Sequence, residues 1–263
     1  MQLRALGSTG IAVSPLGLGT VKFGRNQQVK YPRPFDLPDD QQVLAILALA
    51  RELGINLLDT APAYGTSQQR LGRLLGTQRS QWVIVSKVGE IFEDGESRFD
   101  FSFEQTLATV EQSLKTLKTD YLDCVLIHSD GDDLAIFEQH GAVEALQELK
   151  RRGLIRAHGM SSKTVAGGLR TVAELDVVMA TCNLDYNDEL PVLQAAQEQG
   201  RGVLIKKGLM SGHVQGADAV ERSFAHVFAQ PGVSSMIVGT INPGHLRDNV
   251  AALQRALHAI GSR

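Results

Sequence analysis

The apolar positions of the chain gather into short unbroken runs instead of alternating or forming a heptad seam. Eight such runs, Leu16–Val21, 55–61, 82–88, 122–128, 154–160, 177–183, 202–207 and 235–240, are rich in Val, Ile and Leu. A strand covered on both faces reads this way, because neither side of it is left to water. Helical periodicity fills the intervals: a helix from Pro38-Asp39-Asp40 to about Leu53, then 67–75, 102–118, 138–152, 164–174, 189–199, 217–229 and 243–259. An Asp of the first group is a natural N-cap, and Gly54 is its stop. Ahead of the first run, Gln2–Leu6 and Ile11–Ser14 flank a Gly-Ser-Thr-Gly turn, which predicts a β-hairpin. Lys22–Pro38 and Gly89–Phe101 are left as long loops. Eight strand–helix units in about 250 residues is the count of an α/β (β/α)₈ TIM barrel. The expectation is one barrel domain over 1–263, with an N-terminal hairpin. Gly17-Leu18-Gly19 lacks the third glycine of a Gly-x-Gly-x-x-Gly turn, which argues against a Rossmann domain.

Composition narrows the function classes. The 263 residues are 43% hydrophobic and 21% charged, with a net charge of −3, so no basic footprint invites nucleic acid or an acidic membrane. The longest purely apolar stretch, Val43 to Ala50, is far too short to span a bilayer. Cys124 and Cys182 lie inside apolar runs without metal or redox spacing and read as reduced core thiols. With no signal-peptide pattern at Met1–Gly7, a cytoplasmic protein is expected, most simply a monomer acting on a small molecule.

The chemistry sits at the strand ends. Three consecutive runs finish in Asp59, Lys87 and His128, and Tyr64 follows the first by five residues. Side chains at the C-terminal tips of barrel strands converge on one pocket. Each has an ordinary alternative: a turn cap for Asp59, a surface position for Lys87, a structural histidine for His128, a turn aromatic for Tyr64. Their shared placement favours a site. A phenol is a poor acid near neutrality, but a neighbouring ammonium lowers its pKa and a carboxylate can hold that ammonium. Tyr64 could then give a proton to a developing alkoxide, with His128 as a neutral donor to a carbonyl. None of these groups makes a hydride, so a cofactor must supply it. A barrel aldolase with Lys87 as Schiff base, and a cofactor-holding redox sensor with little turnover, are the competing readings.

Several longer stretches carry a resemblance. Arg4-x-Leu6-Gly7-x-Thr9-Gly10, Val13-Ser14-x-Leu16-Gly17-Leu18-Gly19-Thr20, Asp59-Thr60-Ala61-x-x-Tyr64-Gly65, Ser86-Lys87-Val88, Leu126-Ile127-His128 and Val238-Gly239-Thr240 with Asn249 resemble the aldo-keto reductase family from the hairpin to the last helix. The resemblance implies NADP(H)-linked reduction of aldehydes or ketones, or the reverse alcohol oxidation, with NAD(H) left open. By the family motif Tyr64 is the acid/base, Asp59 and Lys87 tune it, and His128 orients the carbonyl.

For the cofactor the resemblance implies Gly19, Thr20, Ser161, Ser162, Asn183, Lys206, Lys207, Gly239, Thr240, His245, Asp248 and Asn249. Ser162 stands where the family has Asn, and Asn183 where it has Gln. Lys206 stands where many members have a ring-stacking aromatic. Gly239 and His245 replace common basic residues, which removes charge-assisted contacts to a 2′-phosphate unless Arg247 substitutes. Lys206 and Lys207 could reach the pyrophosphate. The chain resembles a short member without the long C-terminal loop, so Phe23, Tyr31, Phe35, Phe92 and Phe99 become candidate pocket walls and broad specificity is expected.

Overall fold

The computed structural model describes residues 1–214, 216 and 218–262. The predicted start of the seventh helix at Ala217 and the final Arg263 lie outside them. Strands β1 (Arg4–Ala5) and β2 (Ala12–Val13) form the predicted hairpin. Then come β3 (Leu16–Gly19), α1 (Val21–Gly24), α2 (Asp40–Glu52), β4 (Leu57–Asp59), α3 (Ser67–Leu74), β5 (Val83–Val88), β6 (Glu90–Glu93), β7 (Glu96–Phe99), α4 (Phe103–Leu117) and β8 (Leu122–His128). The second half runs α5 (Asp133–Gln139), α6 (Ala142–Arg151), β9 (Ile155–Ser161), α7 (Val165–Glu174), β10 (Val177–Thr181), α8 (Leu190–Glu198), β11 (Gly202–Lys206), α9 (Ala219–Phe228), β12 (Val233–Val238) and α10 (Pro243–Gly261). Strands β3, β4, β5, β8, β9, β10, β11 and β12 close into a parallel barrel in that order, as predicted.

Because side chains alternate along a strand, each barrel strand has an inward row and an outward row. The inward row holds Leu57, Val83, Val85, Cys124, Leu126, Ala157, Val177, Met179 and Leu204, all buried in one cluster. Leu6, Ile11 and Val13 of the hairpin join that cluster and plug the N-terminal end of the barrel. The outward row, including Leu58, Ile84, Val125, Ile127, Val178, Val203 and Ile205, packs under the helices. Further along, the inward rows end in Asp59, Lys87, His128, Ser161, Thr181 and Lys206.

Three local features differ from expectation. The segment after Val88 is a hairpin, not a loop: Glu90 pairs with Phe99 and Glu93 with Glu96. Its tip, Asp94 (φ 52°) and Gly95 (φ 83°), has both residues left-handed, the requirement of a tight two-residue hairpin turn. The helix predicted over 138–152 is two, α5 and α6. The break falls at Gly141, where a Cβ would come within 2.7 Å of Phe103 Cβ, so the chain needs glycine to pass. Strand 55–61 shrinks to β4 because Asn56 turns to the hairpin, its Oδ1 accepting from Ser14 N (2.7 Å) and its Nδ2 donating to Ala12 O (2.9 Å).

Candidate active site

At the C-terminal end of the barrel Lys87 Nζ donates to Asp59 Oδ1 at 2.5 Å and to Thr60 O at 3.1 Å. Both side chains are buried, and the pairing is what makes two buried charges tolerable. Tyr64 stands above them. The turn that carries it passes close to α1: Gly65 has φ 59°, and a Cβ there would lie 2.2 Å from Gly24 O. Tyr64 Oη donates to Asp59 Oδ2 over a long 3.5 Å, and the Lys87 ammonium lies 4.7 Å from the centre of its ring.

That geometry reverses one expectation. Burial, followed by the Asp59 carboxylate, pushes the Tyr64 phenol well above its ordinary value. Lys87 lies over the ring and gives two of its three N–H groups to Asp59 and Thr60, with no hydrogen bond to the Tyr64 oxygen. The site holds Tyr64 as a phenol, the form of a proton donor.

His128 ends β8, with its ring edge-to-face to Tyr64 at 6.4 Å between centroids. On its other side, Glu90 Oε2 lies 2.7 Å from Nδ1, without the straight alignment of a full hydrogen bond. Glu90 Oε1 accepts from Ser97 Oγ (2.6 Å) and Arg25 Nη1 (3.3 Å). Arg25 also donates to Ala63 O at 3.0 Å and stacks 3.5 Å over the Phe92 ring. Burial raises the Glu90 carboxyl, but His128, Ser97 and Arg25 outweigh it and hold it at about 2. Burial lowers His128, against the pull of Glu90. Neither Glu90 nor Arg25 stood out in the sequence. The Asp-Gly tip of the hairpin was the one signal that could have placed Glu90 beside the strand ends.

On the adjacent strand β9, Ser161 is the register neighbour of His128. Lys206 donates to Ser161 Oγ at 2.9 Å and to the Ser162 carbonyl. It therefore points into the barrel, as its place in the inward row dictates. Burial brings Lys206 down to about 8, against the attraction of Glu189. Glu189 is itself buried, with an unpaired Oε2, and is raised by that burial. Ser162 falls in the opposite row: its unpaired Oγ is buried near Gly168, and only its carbonyl meets Lys206.

The remaining cofactor candidates divide in two. Thr20 Oγ1 donates to Asp59 O (2.9 Å) and accepts from Ser67 Oγ (2.8 Å), bracing the β4 tip. Asn183 ties two loops, Nδ2 donating to Lys207 O (3.1 Å) and Oδ1 accepting from Asp185 N (3.0 Å). Thr240 Oγ1 accepts from Asn242 N (3.1 Å). Gly19 and Gly239 form a narrow wall: a Cβ on Gly239 would meet Tyr31 Oη at 3.1 Å and Gly19 O at 3.5 Å. Lys207 is exposed, with a left-handed backbone (φ 56°). His245 and Asp248 are exposed at the start of α10, and Asn249 is buried one turn on. Arg247 turns toward Glu52 of α2 at 3.6 Å. Of the aromatic wall candidates, Phe23 is fully buried and anchors its loop, whereas Tyr31 reaches the mouth at Gly239.

The residues present suit an amphipathic dinucleotide. Small or hydroxyl side chains line one rim, and Lys206, with buried Ser161, offers a polar floor beside His128. Among the described residues no cluster of His, Cys, Asp or Glu is arranged to hold a metal ion, and no helix is long and apolar enough to cross a membrane.

Comparison with known proteins agrees with this geometry. The sequence model of the Aldo/keto reductase family matches residues 15–224. A solved structure from Pseudomonas aeruginosa, assigned to the aldo-keto reductases, superimposes with a TM-score of 0.90 at 55% identity, covering 97% of this chain and 95% of its own. The chain is 27% identical to L-galactose dehydrogenase of Arabidopsis thaliana, over 96% of this chain and 88% of that protein. It is 31% identical to NADH-specific methylglyoxal reductase of Escherichia coli, over 80% of this chain and 69% of that protein.

Proposed function

The chain belongs to the aldo/keto reductase family of oxidoreductases, and on that premise we propose that it interconverts a small-molecule carbonyl and its alcohol with NADP(H), Tyr64 serving as general acid/base. The observation that carries the proposal is the convergence of a half-buried phenol, a buried Asp59–Lys87 pair and His128 at one end of the barrel. The nicotinamide, when bound, supplies or accepts the hydride. Ser161, Lys206 and Lys207 would hold its nicotinamide end, and Gly239, Thr240, His245, Asp248 and Asn249 its adenosine end.

The chain's own residues handle the proton. Tyr64, held as a phenol by burial and Asp59, donates to the oxygen that gains charge as the carbonyl is reduced. Lys87 keeps Asp59 paired and its own cation beneath the tyrosine ring, in a buried setting where fixed charge acts strongly. The same pairing disfavours an aldolase, because Lys87 is the ion-pair partner of buried Asp59 and an ammonium has no lone pair with which to attack a carbonyl. Buried Lys87 and half-buried Lys206 suit an anionic cofactor. NADP(H) is proposed over NAD(H), although neither Gly239 nor His245 supplies a strong cation.

Tyr64→Phe tests the assignment. Reduction of methylglyoxal should fall by about 10²–10⁴, while binding of NADPH, read by fluorescence alongside NADH, stays within about threefold of wild type. Undiminished turnover would sink the role of Tyr64, and tighter NADH than NADPH binding would overturn the cofactor preference.

A further inference from the structure

Taking that function as its basis, we propose that Glu90 is a positioning residue that keeps the His128 proton on Nδ1. Nε2 then meets the substrate oxygen as a hydrogen-bond acceptor, and the uncharged site is complementary to an alcohol rather than a carbonyl. The reasoning begins with how firmly Glu90 is placed. It opens β6 three residues after Lys87, and the chain between them turns at Gly89 (φ 101°), where a Cβ would collide with the Phe101 ring at 2.3 Å. Ser97 comes from the facing strand of the same hairpin. Arg25 comes from the end of α1 and also grips Ala63, the residue before Tyr64. Glu90 is thus tied to both sides of the catalytic cluster.

Glu90 Oε2 sits 2.7 Å from Nδ1, off the line of its N–H, and the negative charge there favours a proton on that nitrogen over a bare one. The proton therefore belongs on Nδ1, and a neutral imidazole has only one to place. Nε2 is left with a lone pair. Protonating Nε2 as well is opposed by burial and by the cations Lys87 of β5 and Lys206 of β11, and favoured by Glu90 alone. Tyr64, edge-to-face to the ring, is a neutral phenol, and Asp59 beyond it is paired with Lys87.

The consequence follows from counting donors and acceptors. Tyr64 offers the substrate oxygen an O–H, and His128 offers a lone pair. A hydroxyl group satisfies both, because it accepts one hydrogen bond and donates one. A carbonyl oxygen can only accept, so it is matched by both groups only when His128 carries its second proton. Burial moves that state below the ordinary histidine value of about 6.5.

The experiment uses the full-length protein labelled with ¹⁵N-histidine. Long-range ¹H–¹⁵N spectra at about pH 8 read which ring nitrogen of His128 is protonated, with His128→Asn identifying the signal. A protonated Nδ1 and bare Nε2 are expected in the wild type. The second readout is the pH profile of methylglyoxal reduction. In the wild type kcat/KM should fall as pH rises through the His128 pKa, and in Glu90→Gln that limb should move to lower pH by about one unit, a tenfold change in proton affinity. A structural role for Glu90 would change the rate but not move the limb. A protonated Nε2 in the wild type, or an unmoved limb in Glu90→Gln, would overturn the role of Glu90 alone. No reduction of any aldehyde by folded wild-type protein with either cofactor would instead overturn the catalytic reading beneath it.

Discussion

Strand β8 connects two buried carboxylate sites, one at each end of the barrel, and they are built on opposite plans. At its base Asp123 is held by guanidinium groups: Arg79 Nη2 reaches Oδ2 at 3.1 Å and Arg156 Nη1 reaches Oδ1 at 2.8 Å, with Ile84 N adding 2.9 Å. Arg79 itself is fully engaged, donating to Trp82 O, Tyr121 O and Thr119 Oγ1. At the mouth Asp59 has one short partner in Lys87 and a loose 3.5 Å contact from Tyr64. A guanidinium does not deprotonate in proteins, so the base is electrostatically closed. The mouth keeps a phenol, an imidazole and two amines, all groups that can exchange protons. Saturated charge marks structure here, and unsaturated charge marks chemistry.

The sharpest way to break this contrast is at the base. Asp123→Ala should leave Arg79 buried without its anion and cost about 3–5 kcal/mol of stability, seen as a lower thermal midpoint. The reduction rate per folded molecule should change little. A large rate loss with an unchanged midpoint would show that the two ends are not separate systems.

At the mouth, Lys87→Met should cost somewhat less, about 2–4 kcal/mol, because Asp59 keeps the distant Tyr64 contact, and it should cut reduction sharply. The double variant Asp59→Asn/Lys87→Met sharpens the point. It removes both charges and should regain most of the stability by denaturant titration without regaining activity. Recovery of activity would mean the pair is structural after all.

The smallest effect concerns acid. Glu90 has its folded-state pKa lowered from 4.5 to about 2. Its contribution is therefore present above about pH 4.5 and is lost as pH falls toward 2. Discounted for partial exposure, this amounts to about 1–2 kcal/mol. The gap between wild type and Glu90→Gln in denaturant titrations should accordingly close between about pH 4.5 and 2. A gap that widens on acidification would count against the ionised Glu90.

The catalytic side of this arrangement was largely legible in the sequence. Unbroken apolar runs specify strands covered on both faces, and parity along them sends Asp59, Lys87 and His128 to one end of the barrel. Other features depended on facts that no run of residues displays. The direction of the Tyr64 shift depends on Lys87 meeting the face of the ring and not the hydroxyl. The role of Glu90 depends on an antiparallel hairpin whose strands lack a clear apolar alternation, with only Asp94-Gly95 to announce it. Parity could have warned that Ser161 and Ser162 would face opposite ways, but it needed the end of β9 to be known to the residue. Asp123 sits inside an apolar run that gives no sign of its partners, because Arg79 and Arg156 come from other elements.

The inward rows also separate two kinds of evolutionary freedom. In six of the eight strands the inward row is topped by a polar residue, as with Lys87 above Val85 or His128 above Leu126. Outside the buried Asp59–Lys87 pair, a substitution at the top residue alters what the barrel can bind without disturbing the layer beneath, because that layer is already closed by its own neighbours and by the hairpin plug. Specificity in this scaffold can drift one rim position at a time, while the folding problem is solved once, below it.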